Sequence, residues 1–277
     1  MNDRRRGWAS AALWLLVVHL VASVAPTLTP YDPARQFRDR PLSAPSPQHV
    51  LGTDELGRDV FARLVTGTRV SLAAAWLGTL VALAIGACVG LVAGYVGGWV
   101  DTVLLRVGDL LLSLPWLYLL LAVRAILPLD LPSDWTSISL ALLLGCVGWV
   151  QPARSIRSLT SSLRQSDWVV SLHAMGATTP RVVRRLLPHV APLLTTHALL
   201  LAPQFILAES TLSFLGLGAG DAAPSLGTLL VPLQRPHLIV NGWWQAAPAV
   251  TLGLLVLLSH RASDRLRSRG PSDMLMP

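Results

Sequence analysis

The chain has 277 residues, 52% of them hydrophobic and 13% charged, with a mean hydropathy of +0.54 and a formal net charge of +7 at neutral pH. Its charges fall in blocks between long apolar runs, the profile of a polytopic membrane protein, which excludes an ordinary soluble enzyme and a disordered chain. All 22 basic residues are arginine, so the Gly-Lys-Ser/Thr of a phosphate-binding loop is missing; if ATP drives this chain, another subunit binds it.

Residues 1–29 are read as an N-terminal cytoplasmic tail and a first membrane helix. Arg4, Arg5 and Arg6 precede an apolar run from Trp8 to Ala25, and Pro26 to Pro30 offers no small-residue cleavage site, so a retained helix is expected over a cleaved signal peptide. Residues 30–69 form a hydrophilic, extracytoplasmic segment. In it Gly52, Gly57 and Gly67 mark turns or close approaches, and Asp54, Glu55 and Asp59 are expected to pair with Arg58, Arg63 and Arg69. These acids lack the tighter spacing of a hard-cation loop.

A second span is expected over Val70 to Tyr95, where Gly86, Gly90 and Gly94 repeat at i+4 and leave a face for close helix contact. The third, Val103 to Leu127, begins with Arg106 and Asp109 and is interrupted by Pro115. Asp109 would be expensive facing lipid, so it should look inward or reach the interface, with Arg106 the expected partner and a substrate role the alternative. A short acidic loop, 128–134, leads to a fourth span whose core is Ile138 to Val150. The fifth, Val190 to Phe214, holds Glu209, an intramembrane carboxylate that either lines a pathway or pairs structurally. The sixth runs from about Trp243 to His260, with Trp243 and Trp244 suited to an interfacial belt. Cys88 and Cys146 lie in apolar segments and are read as packing residues; His19, His173, His189 and His197 are scattered and form no metal-ligand pattern.

Between the fourth and fifth spans, residues 151–189 make a long basic connection. Ser166 and Asp167 can cap a short helix with Trp168, Val169, Leu172 and Met175 on one side, and Gly176 can stop it in the left-handed conformation. Thr178 or Thr179 with Pro180 at the first helical position starts a second helix, which Pro188 is expected to halt after Leu187. Arg181, Arg184 and Arg185 share one face. The pair is read as a docking surface; the blander reading is a basic loop held at the membrane by its arginines.

Orientation follows from arginine placement. With six spans and the N-terminus inside, Arg154, Arg157, Arg164, Arg181, Arg184, Arg185 and the tail arginines are cytoplasmic, and the short outer loops keep Arg235 with Arg124 near a span end. This use of arginine also makes nucleic acid an unexpected partner.

Several stretches now carry a family resemblance. They are GTDELGRDVFARLVTGTRVSL (Gly52 to Leu72), the Gly94 to Pro115 run with its GYVGGWVD start, SFLGLG ending at Gly218, the Trp243-Trp244 pair with Pro248, and the 167–188 loop. Together they resemble the inner-membrane permeases of ABC importers of the dipeptide, oligopeptide and nickel family, in the subunit called the C-type permease. In the loop the matching positions are Asp167, Trp168, Ala174, Gly176, Ala177, Arg181, Leu187 and Pro188. The family's acidic residue falls at Val170 here, its alanines at Ser171 and Leu172, and its PSWG at Pro224 to Gly227 reads Pro-Ser-Leu-Gly.

The resemblance implies an all-α, six-helix type I importer permease, with a transmembrane core over 70–260 and a cytoplasmic tail over 261–277. It implies half of a translocation pathway for short peptides, or nickel or other small solutes, coupled to cytoplasmic ATPases through the 167–188 loop. Glu209 and Asp109 become candidates for the pathway or an intersubunit contact. The implied partners are a homologous second permease, two ABC ATPases, an extracytoplasmic solute-binding protein and membrane lipid. No cofactor or metal is assigned to this chain, ATP and Mg being bound by the partners; a bacterial inner-membrane location with both termini cytoplasmic follows. An ATP-independent channel or secondary transporter would show paired intramembrane charges or inverted repeats, whereas only Asp109 and Glu209 occur. An intramembrane hydrolase would need a G-x-S-x-G, H-E-x-x-H or carboxylate-pair pattern that the spans do not offer.

Overall fold

The structure, a computed structural model, describes residues 29–126, 128, 132–220, 223–235 and 242–267. Their regular structure is helical: α1 (Val60–Val96), α2 (Gly98–Ser113), α3 (Trp116–Ile126), α4 (Ser133–Gly148), α5 (Val150–Arg164), α6 (Asp167–Ala174), α7 (Thr179–Phe214) and α8 (Ala247–Arg267), with two 3-10 turns at Thr228–Gln234 and Trp243–Ala246. The all-α expectation holds. The expected first helix, apart from residue 29, and the tail beyond 267 lie outside the described residues.

Among the described residues, α1 with 37 residues and α7 with 36 are each long and apolar enough to cross a membrane. At 1.5 Å per residue each is about 55 Å long, well beyond the ~30 Å hydrocarbon core. Two further crossings are possible only as bent pairs, α2 with α3 at 91° and α4 with α5 at 42°. The expected third span is therefore two short helices meeting near Pro115, whose ring removes a donor and whose preceding residue is pushed out of helical geometry; Leu114 is extended at φ −88°, ψ 140°.

Two sequence boundaries shift. The second span starts at Val60, inside the stretch read as hydrophilic, because the Asp59 carboxylate accepts the Ala62 N–H at 2.7 Å and caps the helix there. The helix expected to end before Pro188 instead runs on as α7 to Phe214, absorbing the separate fifth span. Val182, Leu186 and Val190 are fully buried at successive i+4 positions, so one packing stripe passes through the proline. That stripe offsets the roughly 3 kcal/mol an interior proline costs in an exposed helix.

The described residues divide into two compact units. One takes those up to Trp76, those between 127 and 140, and those from Ala202 on. In its N-terminal segment, Asp54 accepts the Leu56 and Arg58 N–H groups at 2.9 and 2.8 Å and the Arg58 Nε at 2.7 Å. Glu55 and Asp59 do not pair as expected. Glu55 meets Arg235 at 2.9 Å, and Asp59 meets the buried His49 at 2.8 Å, itself flanked by the Tyr31 and Phe37 rings. Gly52 and Gly57 take φ +63° and +72°, where an added Cβ would also strike the Ser43 and Phe37 carbonyl oxygens at 2.4 and 2.1 Å. The Pro-Ser-Leu-Gly segment is pinned here: Leu226 N–H donates to Ser71 Oγ at 3.0 Å, and Leu226 packs with Leu64 and Leu255.

The second unit comprises Leu77–Ile126 and Ala141–Leu201. Its organising contact is the Gly86, Gly90, Gly94 stripe of α1 against α5. A Cβ at these positions would lie 2.8 Å from Pro152 Cβ, 2.6 Å from the Ala153 carbonyl oxygen and 2.6 Å from the Arg157 carbonyl oxygen, so the backbones touch as the i+4 spacing predicts. The thiols of Cys88 and Cys146, expected to pack, are exposed on the chain.

Candidate functional site

The basic connection folds into a helical hairpin built by short-range rules. α5 ends as Gln165 and Ser166 N–H groups bond back to Ser162 and Leu163 carbonyls at 3.2 and 3.1 Å, and α6 starts at Asp167. Ser166 holds the N-cap place with extended backbone, but its hydroxyl turns back to the Leu163 carbonyl and does not cap α6, which corrects the expected role. Asp167 in the first turn suits the positive end of the helix dipole. After Ala174, Gly176 adopts φ +77°; its N–H bonds to the His173 carbonyl at 2.9 Å, and the Ala177 N–H bonds to the Leu172 carbonyl at 3.0 Å. Those two bonds make a Schellman stop, completed by the packing of Ala177 on the Leu172 cluster. The Thr178 carbonyl then accepts Arg181 and Val182 N–H groups, which opens α7 one residue ahead of Pro180.

The hairpin is clamped by its own core. Val169 and Leu172 of α6 and Val182 and Leu186 of α7 are buried together, with Tyr95 and Leu163 packed against them. Trp168 and Met175, expected on this side, stay exposed at 36% and 74%: an eight-residue helix buries only the arc that meets α7. Trp168 stacks on His189 with ring centroids 5.4 Å apart. Outside the core, Trp168, Arg181, Arg184, Arg185, Pro188 and His189 line an open groove of about 570 Å³. Leu187, Met175 and Val170 add exposed apolar surface, so the outer face combines three arginines with bare hydrophobic side chains.

Contacts that the sequence reading missed tie this hairpin to α1. The Tyr95 hydroxyl lies 3.0 Å from His173 Nε2, and Arg164 donates to the Val96 carbonyl at 3.3 Å. Asp109 pairs with Arg154 on α5 rather than with Arg106 on its own helix, and Arg157 grips Asp101 through Nε at 2.9 and 3.1 Å and through Nη2. Two acids on α2 thus meet two arginines on α5, a tertiary match that overrides the i, i+3 pairing within one helix. The Asp101 side chain is 13% exposed and Arg157 36%. Asp101→Asn is expected to lower stability by about 1–2 kcal/mol, the cost of weakening a charge-assisted, partly buried pair. The double reversal Asp101→Arg with Arg157→Asp should recover most of it in thermal unfolding of the chain in nanodiscs; equal losses for singles and double would remove the pair from the account.

The hairpin is thus closed by its own core and continues directly into the long apolar helix α7. Residues 86–269 match the model of the binding-protein-dependent transport system inner membrane component family. The chain is also 32% identical over 272 residues to a dipeptide transport system permease protein, DppC, of Haemophilus influenzae, covering 95% of this chain and 90% of that protein. The chain belongs to this family of ABC importer permeases. Other similar proteins are a glutathione transport system permease protein, GsiD, of Pectobacterium atrosepticum, 34% identical over 93% of this chain and 84% of that one, and an oligopeptide transport system permease protein, OppC, of Mycobacterium tuberculosis, 32% identical over 95% and 89%.

In this permease the two candidate carboxylates stand differently. Asp109 is exposed and held by Arg154. Glu209 is 2% exposed within the first unit, where it accepts the Ser213 hydroxyl at 2.7 Å, with the Ser210 hydroxyl at 3.5 Å. The neighbouring loop leaves no slack: a Cβ on Gly227 would sit 2.2 Å from the Ser210 carbonyl oxygen, and one on Gly218 2.3 Å from Ser213 Oγ. The SFLGLG and PSLG stretches therefore meet around the Glu209 turn of α7.

Proposed function

We propose that this permease forms one half of an import pathway for short peptides in a bacterial inner membrane. ATP is hydrolysed on two partner ATPases, a homologous second permease supplies the other half, and an extracytoplasmic solute-binding protein delivers the substrate. The observation that carries the reading is the seating of the hairpin on α7: Arg181 stands on the 36-residue helix itself, and α6, which carries Trp168, is packed onto that helix through Val169, Leu172, Val182 and Leu186. The lack of any lysine for a phosphate-binding loop supports nucleotide hydrolysis on other subunits. The peptide substrate rests on what the similar proteins are named for transporting; the arginine bias supports a cytoplasmic hairpin and cytoplasmic termini.

In this arrangement the coupling contacts are Asp167, Trp168, Ala174, Gly176, Ala177, Arg181, Leu187 and Pro188; Trp168, Arg181 and Pro188 line the outer groove, and Ala177 packs on the core beneath it. Asp109, being exposed, is the better placed of the two acids for an intersubunit or pathway contact, and Glu209 reaches either only if α7 and its loop rearrange. The test is purification of the full chain from its native membrane with whatever accompanies it. Two ATPases bearing Walker motifs and a peptide-loaded soluble protein are expected; a chain that transports alone, with no ATPase attached, would overturn the reading.

A further inference from the structure

Three arginines on the outer face of the hairpin stand without counter-charge. Arg181, Arg184 and Arg185 are exposed, and among the described residues the side chain of none of them is ion-paired or hydrogen-bonded. Elsewhere in the same unit arginines do find acids, as Arg154 finds Asp109 and Arg157 finds Asp101. The groove that the three line with Trp168, Pro188 and His189 has no acidic wall residue. The helix itself opposes these charges. Arg181 lies in the first turn of α7, at the positive end of the dipole, with no acid in that turn, and Arg184 and Arg185 follow in the next. Their i, i+3 and i+4 spacing adds mutual repulsion. Nothing among the described residues offsets this arrangement; an anionic partner would.

Two observations choose the partner. Bare apolar side chains accompany the charges, with Trp168 36%, Leu187 46% and Met175 74% exposed. A phosphate covers the charges alone, whereas a protein surface covers both. Reach agrees. With the apolar stretch of α7 beginning at Val190, Arg185 stands about 8 Å and Arg181 about 14 Å outside it at ~1.5 Å per residue, against a lipid headgroup layer about 5–7 Å deep. We propose that the groove receives carboxylates of the partner ATPase, Asp or Glu side chains framed by apolar residues, which pair with Arg181, Arg184 and Arg185. The guanidinium fork suits carboxylates, which it binds through two parallel hydrogen bonds. The inference rests on the coupling reading and adds the charge of the surface that docks. Val170, where the family carries its acid, is 56% exposed, so the groove side of the contact is cationic on this permease.

The test uses the complex that co-purifies with the full chain, reconstituted in nanodiscs of phosphatidylcholine, a lipid without net charge. Because the chain has no lysine, Arg184→Lys and, separately, Arg185→Lys each place a single side-chain amine in the groove. A zero-length carbodiimide crosslinker should then join that amine to an Asp or Glu of the ATPase, located by mass spectrometry of the linked peptides. In parallel, Arg184→Glu with Arg185→Glu should weaken ATPase binding about a hundredfold and Arg184→Gln with Arg185→Gln about tenfold, since like charges brought face to face cost more than a pair merely lost. Acids near a helix start suit its dipole, so the reversed chain should keep its unfolding midpoint, which separates lost docking from lost folding. No link from either position to an ATPase carboxylate, or reversal tolerated as well as neutralisation, would overturn the proposal. So would an effect of reversal that appears only when phosphatidylglycerol is added, which assigns the arginines to lipid phosphate. In those cases ATPases still bound to the wild-type chain leave the coupling reading standing; a wild-type chain without ATPases removes both.

Discussion

Gly176→Val should give a permease that assembles with its partners and loses at least about tenfold of its substrate-stimulated ATP hydrolysis, since about 1–2 kcal/mol of left-handed strain per non-glycine residue shifts a local equilibrium by that order. Nothing lies within 4 Å of a Cβ at Gly176, so a side chain meets no steric barrier there, and the effect acts through φ +77° alone. This gives the prediction internal structure. Gly176→Asn should be mild, because asparagine tolerates the left-handed region. Valine should be severe and proline most severe, because proline fixes φ near −65° and also deletes the N–H that bonds to the His173 carbonyl. Basal hydrolysis and complex assembly, measured in parallel, separate lost coupling from lost folding. Equal stimulation in the Asn, Val and Pro variants would mean that the stop between α6 and α7 carries no coupling.

Gly90→Leu should have the largest effect on stability. The added Cβ would stand 2.6 Å from the Ala153 carbonyl oxygen and 2.8 Å from Ile156 Cβ, and a backbone oxygen has no rotamer by which to retreat. Overpacking costs about 1–3 kcal/mol where neighbours can shift; here α1 and α5 must separate, and with them the Asp101–Arg157 contact loses its frame. A fall in unfolding midpoint of roughly 6–12 °C, or failure to recover folded protein, is expected for a loss of about 3 kcal/mol. Gly253→Leu is the matched control, since nothing lies within 4 Å of a Cβ there.

These two glycines also show what the sequence made legible. Gly176 was readable because a left-handed stop is a local backbone event, and Gly86, Gly90 and Gly94 because a four-residue repeat fixes a helix face regardless of what that face meets. The partner face, Pro152 to Thr160 of α5, had no comparable signature. Pro188 was misread because the breaking rule prices a lost N–H against water, while α7 holds its axis through buried Val182, Leu186 and Val190. Asp109 was given the wrong arginine because spacing within one helix says nothing of the neighbour packed across it. Pro115 announced a break but not the 91° at which α2 and α3 meet.

The measurement closest to the central claim is site-directed crosslinking from the hairpin in the assembled complex. Cys88 and Cys146 are exposed and would first be replaced, after which Met175→Cys, at a site 74% exposed, receives a short photoactivatable crosslinker. The predicted product joins this permease to an ATPase subunit, and its yield changes when nucleotide is added. Adducts to lipid alone, or labelling of that cysteine by a membrane-impermeant reagent applied from outside the cell, would contradict it.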